Sequence, residues 1–341
     1  MTLTFAYFIA DNESVVYEVL KNEKINNVYI DDSIFLKEDY PSSWLDEDKW
    51  PNQGYITPYM VDNNRVKIAI NRSSLATKVD IIQNDDYKMP IINELKLGDI
   101  QNIKIERNFG DESSIINLKG TVSKDETIEI PVLKPEINFK VKLKEALEKY
   151  NVVYSGQIAN AAIQDDFIKI SSVSHDISDV FPLILHNSNN LASETVFRVA
   201  ASKYFNKTAN LDDSIMMFNE FYGSYLSKNE KIADASGVSR QNLLSVKTIS
   251  NILCEICNKT NILSYMQNAN QGTMKDRLYF LQDNLKVKTG TMKNLSSIAG
   301  VLKTRNNSNI MFVSIVQNSS KRKSLLKNFE NNLIGLIYKK Y

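Results

Sequence analysis

The chain is 341 residues long, 43% hydrophobic and 24% charged, with 41 Lys and Arg against 40 Asp and Glu, the profile of a folded globular protein rather than a disordered or fibrous one. A net charge of +1 provides no field to gather nucleic acid or an anionic membrane surface, so neither is expected as a partner. Two cysteines, Cys254 and Cys257, and two histidines, His175 and His186, exclude a disulfide framework and most histidine-based metal chemistry, and no metal or other cofactor is expected.

Near the start, the apolar run Leu3 to Ala10 is far shorter than the roughly 20 residues of a membrane-spanning helix. It lacks the basic n-region and small-residue cleavage site of a secretory signal, so neither a membrane span nor an export signal is read. From Asn26 to about Phe139, short apolar runs alternate with period two, as in Asn27–Ile30, Val66–Ile70 and Ile103–Ile105; this predicts antiparallel β structure. A helical pattern begins at Glu145–Tyr150, and 152–156 turns out of it. Ser188-Asn189-Asn190 precedes an amphipathic helix, Leu191 to Phe205.

Further on, Asp234 to Asn242 is a small-residue loop, and Ser239 is the expected N-cap of the next helix. Val246, Ile249, Ile252, Leu253, Ile256 and Cys257 form one apolar stripe on that helix, and both thiols read as packed core residues without a redox role. Three strands follow, Leu285–Thr291, Ile298–Thr304 and Ile310–Val316, the last two joined as a hairpin through 305–309. A final helix carries Leu325, Leu326, Phe329, Leu333, Leu336 and Ile337 on one face.

Three segments could carry chemistry. In Lys288-Thr289-Gly290, followed by Thr291, strand periodicity places Lys288 and Gly290 on one face and Thr289 and Thr291 on the other. Gly290 leaves room for a ligand backbone at the strand edge, and Lys288 offers a fixed cation for a carboxylate. Alone, this reads first as an exposed edge strand bearing a lysine. In the second segment, the Ser188 hydroxyl and the Asn190 carboxamide can relay a proton and hold an amide, but Ser and Asn also make a plain helix cap. The third, Asp234 to Asn242, reads first as a tightly packed loop with local side-chain to backbone bonds.

Taken in order, Ser-x-Asn, Asp-Ala-Ser-Gly-Val-Ser-Arg-x-Asn and Lys-Thr-Gly are far less probable together than singly. The chain resembles the penicillin-binding protein 4 type of D-alanyl-D-alanine carboxypeptidase/endopeptidase, serine acyl-enzymes whose motif set is Ser-x-x-Lys, Ser-x-Asn and Lys-Thr-Gly. The stretches 188–198, 271–277 and 287–300 carry the similarity in the last third, and 29–35 and 55–71 carry it upstream. The resemblance implies an α+β multidomain fold: a β-lactamase/transpeptidase-like domain, an antiparallel sheet with flanking helices, interrupted by inserted β-rich domains. Expected boundaries are an incomplete remnant at 1–22, inserted domains at 23–165 and the C-terminal part of the transpeptidase-like domain at 166–341. It further implies a peptidoglycan stem peptide or a β-lactam as ligand, and a periplasmic or cell-envelope location. Ser188 would pass a proton to the leaving amine and Asn190 would bind the substrate amide. Lys288 and Thr289 would face its carboxylate, the edge through Gly290 would pair with the extended peptide, and the Thr291 N–H would supply half of an oxyanion hole.

In that family the nucleophilic serine and its lysine lie ahead of the inserted domains. Ser33 to Lys37 and Ser74 to Lys78 are each one residue too long for Ser-x-x-Lys, and the pattern occurs at Ser320-x-x-Lys323 and Ser324-x-x-Lys327, after the Lys-Thr-Gly strand. A truncated product without activity of its own is therefore expected, with a separate N-terminal fragment as a partner; the alternative is a non-catalytic module that binds peptidoglycan peptides or β-lactams. The stripe on the final helix would then be left partly bare and its domain marginally stable.

Overall fold

The computed structural model describes residues 2–5, 20, 23–49, 51, 53–72, 79–83, 87–107, 115–162 and 176–341. Most of the expected remnant at 1–22, and the Ser74 to Lys78 stretch, lie outside these. The chain divides into two compact units, Met1–Ser174 with Arg198–Asn210, and His175–Phe197 with Leu211–Tyr341.

The first unit holds strands β1 (Thr2–Phe5), β2 (Asn27–Ile30), β3 (Arg65–Arg72), β4 (Val79–Gln83), β5 (Ile91–Leu97), β6 (Asn102–Arg107), β7 (Ile116–Val122), β8 (Glu126–Pro131) and β9 (Ile158–Asn160), a single-turn helix α1 (Asp46–Lys49) and helix α2 (Pro135–Lys149). They form three sheets, ordered β1-β2-β9, β4-β3-β8 and β5-β7-β6. Alternation works as expected on β3, where Val66, Ile68 and Ile70 are buried opposite Ile130, Ile128 and Glu126 of β8. The expectation of purely antiparallel pairing is corrected: β1-β2, β2-β9 and β5-β7 are parallel. Period two reports which face is buried and is blind to direction, and β2 and β9 are separated by the long connection that parallel pairing needs. Helix α2 starts ten residues ahead of the expected Glu145, because Pro135 presets the first turn. Its Phe139, Leu143 and Leu147, one turn apart, fill a core with Val28, Ile30 and Tyr59.

The second unit holds α3 (Ile177–Leu185), α5 (Leu211–Tyr222), α6 (Val246–Lys259), α7 (Lys323–Lys340), and strands β10 (Leu285–Met292), β11 (Leu295–Lys303) and β12 (Asn309–Val316). Helix α4 (Asn190–Phe205) begins in this unit. The three strands expected from the sequence form one antiparallel sheet, β10-β11-β12. β10 and β11 make a second hairpin that the sequence does not announce, with Asn294 at φ 63° in place of the usual Asn-Gly signal. Across it, a methyl on Gly300 would come 2.0 Å from the Lys286 carbonyl oxygen. Val287, Ile298, Leu302 and Phe312 from the sheet pack with Met274, Leu281 and Ile334 of α7.

Two further expectations are corrected. The N-cap of α6 is Ser245, whose hydroxyl accepts from the Thr248 N–H at 3.1 Å, and not Ser239. Glu230 reinforces this end by accepting from the Ser227 and Ser245 N–H groups and the Thr248 hydroxyl, bonds that hold its carboxyl far below the usual range. The stripe on α6 is only partly covered: Val246 is exposed, Ile249, Ile252, Leu253, Ile256 and Cys257 are half-buried, and Cys254 beside them is exposed. The helix lies over β12, the outer strand of a narrow sheet, too small a surface to enclose it. On α7 the buried face is Leu326, Glu330 and Ile334, while Leu325, Phe329 and Leu336 are exposed. Among the described residues no helix is long and apolar enough to cross a membrane, and no cluster of three or more potential metal ligands occurs.

Candidate active site at the edge of the three-stranded sheet

β10 is an outer strand of its sheet: β11 pairs with one side of it, and on the other Val287 N–H donates to the Gln267 carbonyl at 3.0 Å. The backbone from Lys288 to Thr291 is left with an unpaired edge among the described strands. Gly290 faces Ser297 across the β10-β11 pair, where a methyl would come 2.6 Å from the Ser297 hydroxyl. A side chain at 290 would have to displace the Ser297 hydroxyl, a constraint additional to room for a ligand.

Ser188 lies in the turn between α3 and α4 at φ 55°, a left-handed conformation uncommon outside glycine and enriched at functional sites. It is not the helix cap. Asn189 fills that role, its carboxamide oxygen accepting from the Ala192 N–H at 3.0 Å, and Asn190 is the first residue of α4. With the cap supplied by its neighbour, the Ser188 hydroxyl is released to meet Lys288, whose Nζ lies 2.7 Å from it. The same Nζ donates to the Thr289 carbonyl at 2.8 Å. No carboxylate pairs with Lys288 among the described residues, and burial lowers its pKa from 10.5 to about 8. The structure therefore brings together Ser188 and Lys288, with Asn190 two residues further along the chain.

Thr289 is the next residue of the same strand. Its side chain is buried, and its hydroxyl lies 2.5 Å from that of Thr273. Thr273 is in turn gripped by the fully buried Gln267, which donates from Nε2 to its hydroxyl at 2.6 Å and accepts its N–H at 2.9 Å. Between them Gly272, at φ 49°, is pressed on the turn preceding Ser188: a methyl there would come 2.7 Å from the His186 carbonyl. The segment 267–273 thus joins the β10 edge to the Ser188 turn. Thr291 is exposed on the same strand.

A second brace runs from α4. Glu194, fully buried one turn after Asn190, accepts from the N–H groups of Ala235 and Ser236 at 2.9 and 2.8 Å. Asp234 accepts from Gly237 N–H, Ser239 N–H and Asn242 Nδ2 at 2.9, 2.6 and 2.6 Å. The loop 234–242 is a rigid internally bonded turn, the role its composition suggests. Beneath the sheet, Arg277 and Glu330 form a buried ion pair at 2.7 Å, and the Ser296 hydroxyl donates to the other Glu330 oxygen at 2.6 Å. Sequence reasoning missed Gln267, Thr273, Glu194 and Glu330, all lone polar residues whose role depends on what lies across the fold.

The D-Ala-D-Ala carboxypeptidase 3 (S13) family matches residues 12–339. The chain belongs to that family. It is 25% identical over 188 residues to the D-alanyl-D-alanine carboxypeptidase DacB of Haemophilus influenzae. That stretch is 49% of this chain and 38% of the relative, so the alignment spans well under half of the relative's length. Its fold is similar to penicillin binding protein 4 (dacB) from Haemophilus influenzae, with a TM-score of 0.82 at 18% identity over 99% of this chain and 82% of that one. The same protein complexed with a β-lactam matches with a TM-score of 0.76 at 17% identity, covering 99% of this chain and 81% of that one. The fold is accordingly the expected one, a transpeptidase-like α+β domain with additional domains.

Proposed function

We propose that this chain carries the peptide-binding and proton-relay part of a serine-type D-Ala-D-Ala carboxypeptidase/endopeptidase that acts by acyl transfer on peptidoglycan stem peptides and binds β-lactams. One observation carries the reading: two residues one hundred positions apart, Ser188 and Lys288, meet at 2.7 Å beside an unpaired strand edge. An extended peptide adds to the Lys288–Thr291 edge by main-chain hydrogen bonds, and the half-buried cation beside Ser188 attracts its terminal carboxylate. Asn190 holds the substrate amide, and Ser188, poised by Lys288, transfers the proton that the leaving amine requires. The Thr289 hydroxyl, fixed by Thr273, keeps the strand in register with this turn. The Thr291 N–H is a donor for the carbonyl oxygen as negative charge develops on it. We place the reaction in the periplasm or cell envelope, where family substrates are found, and retain the three-part division at 1–22, 23–165 and 166–341 as part of the same reading.

The test is binding. A diacetylated Lys-D-Ala-D-Ala tripeptide titrated into isotopically labelled protein is expected to shift the backbone amides of 288–291 and of Ser188, while the L-Ala-L-Ala isomer leaves them unmoved. Equal response to both isomers, or none to either, overturns the proposal. Release of D-alanine during the titration identifies a catalyst; saturable binding without release identifies the non-catalytic binding module.

A further inference from the structure

Cys254 and Cys257 are the two cysteines of the chain. Both lie towards the end of α6, where the apolar spacing predicts a packed core and the structure leaves Cys254 exposed and Cys257 half-buried. Three residues apart on a helix, their side chains lean towards the same turn and are neighbours. The two sulfurs feel one another: burial, and then the charge of Cys254, push the Cys257 thiol upwards. The Cys254 Sγ also accepts from the Asn258 Nδ2 at 3.6 Å, a bond that favours its thiolate. Glu255, the carboxylate between them in sequence, is taken by Lys259 at 2.5 Å, and no third potential metal ligand joins the thiols among the described residues.

The spacing separates two chemistries. A disulfide needs Cβ atoms about 3.5–4.5 Å apart, whereas an intact helical turn holds those at i and i+3 about 5–6 Å apart, so a direct S–S bond requires the turn to open. That turn is pinned. The Thr260 N–H and hydroxyl both donate to the Ile256 carbonyl, at 2.9 and 2.8 Å, the same hydroxyl accepts from the Ile262 N–H at 3.2 Å, and the Glu255–Lys259 pair spans the turn as well. A bridging ion, with metal–thiolate bonds of about 2.3 Å on each side, reaches two sulfurs about 4.6 Å apart and leaves the backbone in place. Two thiolates leave zinc two ligands short of its tetrahedron, and offer calcium or magnesium none of their oxygens. Thiolate softness selects an ion of the Cu(I) class.

We propose that Cys254 and Cys257 form a two-coordinate site for one soft monovalent cation of the Cu(I) class, sharing no residue with the β10 edge. In the binding step both S–H protons pass to water, two sulfur–metal bonds form, the ion keeps its oxidation state, and the bound unit carries one negative charge.

The experiment titrates the reduced full chain, prepared without air, with Cu(I) buffered by the chelator bathocuproine disulfonate. One ion per chain is expected in the native intact mass, with two protons lost from the chain and the far-ultraviolet helix signal unchanged. Cys254→Ser and Cys257→Ser are each expected to weaken binding by about a hundredfold or more, and magnesium or calcium offered instead is expected to leave the mass unaltered. Cys257→Ser joined with Glu255→Cys keeps two thiols, now at adjacent positions that do not face each other; it is expected to lose the site as fully as the single variants while its thermal transition reports that it is folded. A wild type that withdraws no copper from the chelator overturns the proposal, as does undiminished binding by either single variant or by the displaced pair. Ready closure of the thiols by oxidised glutathione, seen as a loss of two mass units with the helix signal intact, overturns it too, since the turn would then favour a direct S–S bond. Because the thiols take no part in the β10 edge, failure here leaves the isomer-selective titration standing, and failure of that titration leaves this result standing.

Discussion

Lys288 is held in its charged form against its surroundings, and its stability signature can be derived in sign. Its folded pKa is depressed to about 8 against 10.5 when solvated, so between these values the unfolded chain binds more protons than the folded one. Stability therefore rises with pH across that window, by at most about 1.4 kcal/mol per pH unit from this one group, and the full desolvation penalty is felt below pH 8. Urea midpoints of the wild type and Lys288→Met at pH 8 and pH 10 measure it: the wild type is expected to gain relative to the variant, and parallel behaviour would mean that the lysine is solvated. The lysine was visible in the sequence because Lys-Thr-Gly is a compact signal. Its supports were not: Thr273 lies sixteen residues from Thr289 in an irregular segment where no periodicity marks a buried polar residue. Ser188 was visible as a residue type but not as a role, since Ser and Asn both serve as caps; the choice of Asn189 follows from how the turn enters α4.

At the level of elements, α7 shows how an amphipathic pattern can mislead. Its face of Leu325, Leu326, Phe329, Leu333, Leu336 and Ile337 is expected to be left partly bare; Leu326 and, in part, Ile337 do pack on the core, but they are joined there by Glu330 and Ile334. A glutamate on the buried face is tolerable because Arg277 and Ser296 satisfy both of its oxygens. Glu330→Ala is expected to cost about 3–5 kcal/mol by leaving the Arg277 charge buried and unpaired. The joint replacement Arg277→Met with Glu330→Leu is expected to cost far less, since no charge is then stranded. Urea denaturation of the two variants decides the matter, and equal losses would show that the pair is solvated. The error over α6 has the same origin. Spacing identifies an apolar stripe, but how much of it is covered depends on the width of the sheet beneath, which left Cys254 in solvent.

On the scale of the whole chain, the second unit carries a band of exposed large apolar side chains on and beside its last helix: Leu325, Phe329 and Leu336 are 53%, 54% and 65% exposed, and Tyr279 is 72% exposed. Contiguous apolar surface of this kind binds hydrophobic dyes and promotes association. The triple variant Leu325→Lys, Phe329→Glu, Leu336→Lys is expected to reduce binding of the dye anilinonaphthalene sulfonate and self-association on a sizing column, with stability moved by no more than about 0.5 kcal/mol per site. Ile334→Ala, on the buried face, is expected to cost about 2–5 kcal/mol. Unchanged dye binding in the triple variant would count against an open apolar band.

By itself the sequence determined the α+β class, the strand positions in the last third and the Ser-x-Asn and Lys-Thr-Gly motifs, because alternation and short motifs are local properties of the chain. The tertiary structure alone decided that β1, β2 and β9 run parallel, that Ser188 and Lys288 meet, and that Gln267, Thr273, Glu194 and Glu330 brace the site. Each of these joins residues far apart in sequence. Their energies come from desolvation and hydrogen bonding across the fold, which act on what is near in space and leave no periodic trace along the chain.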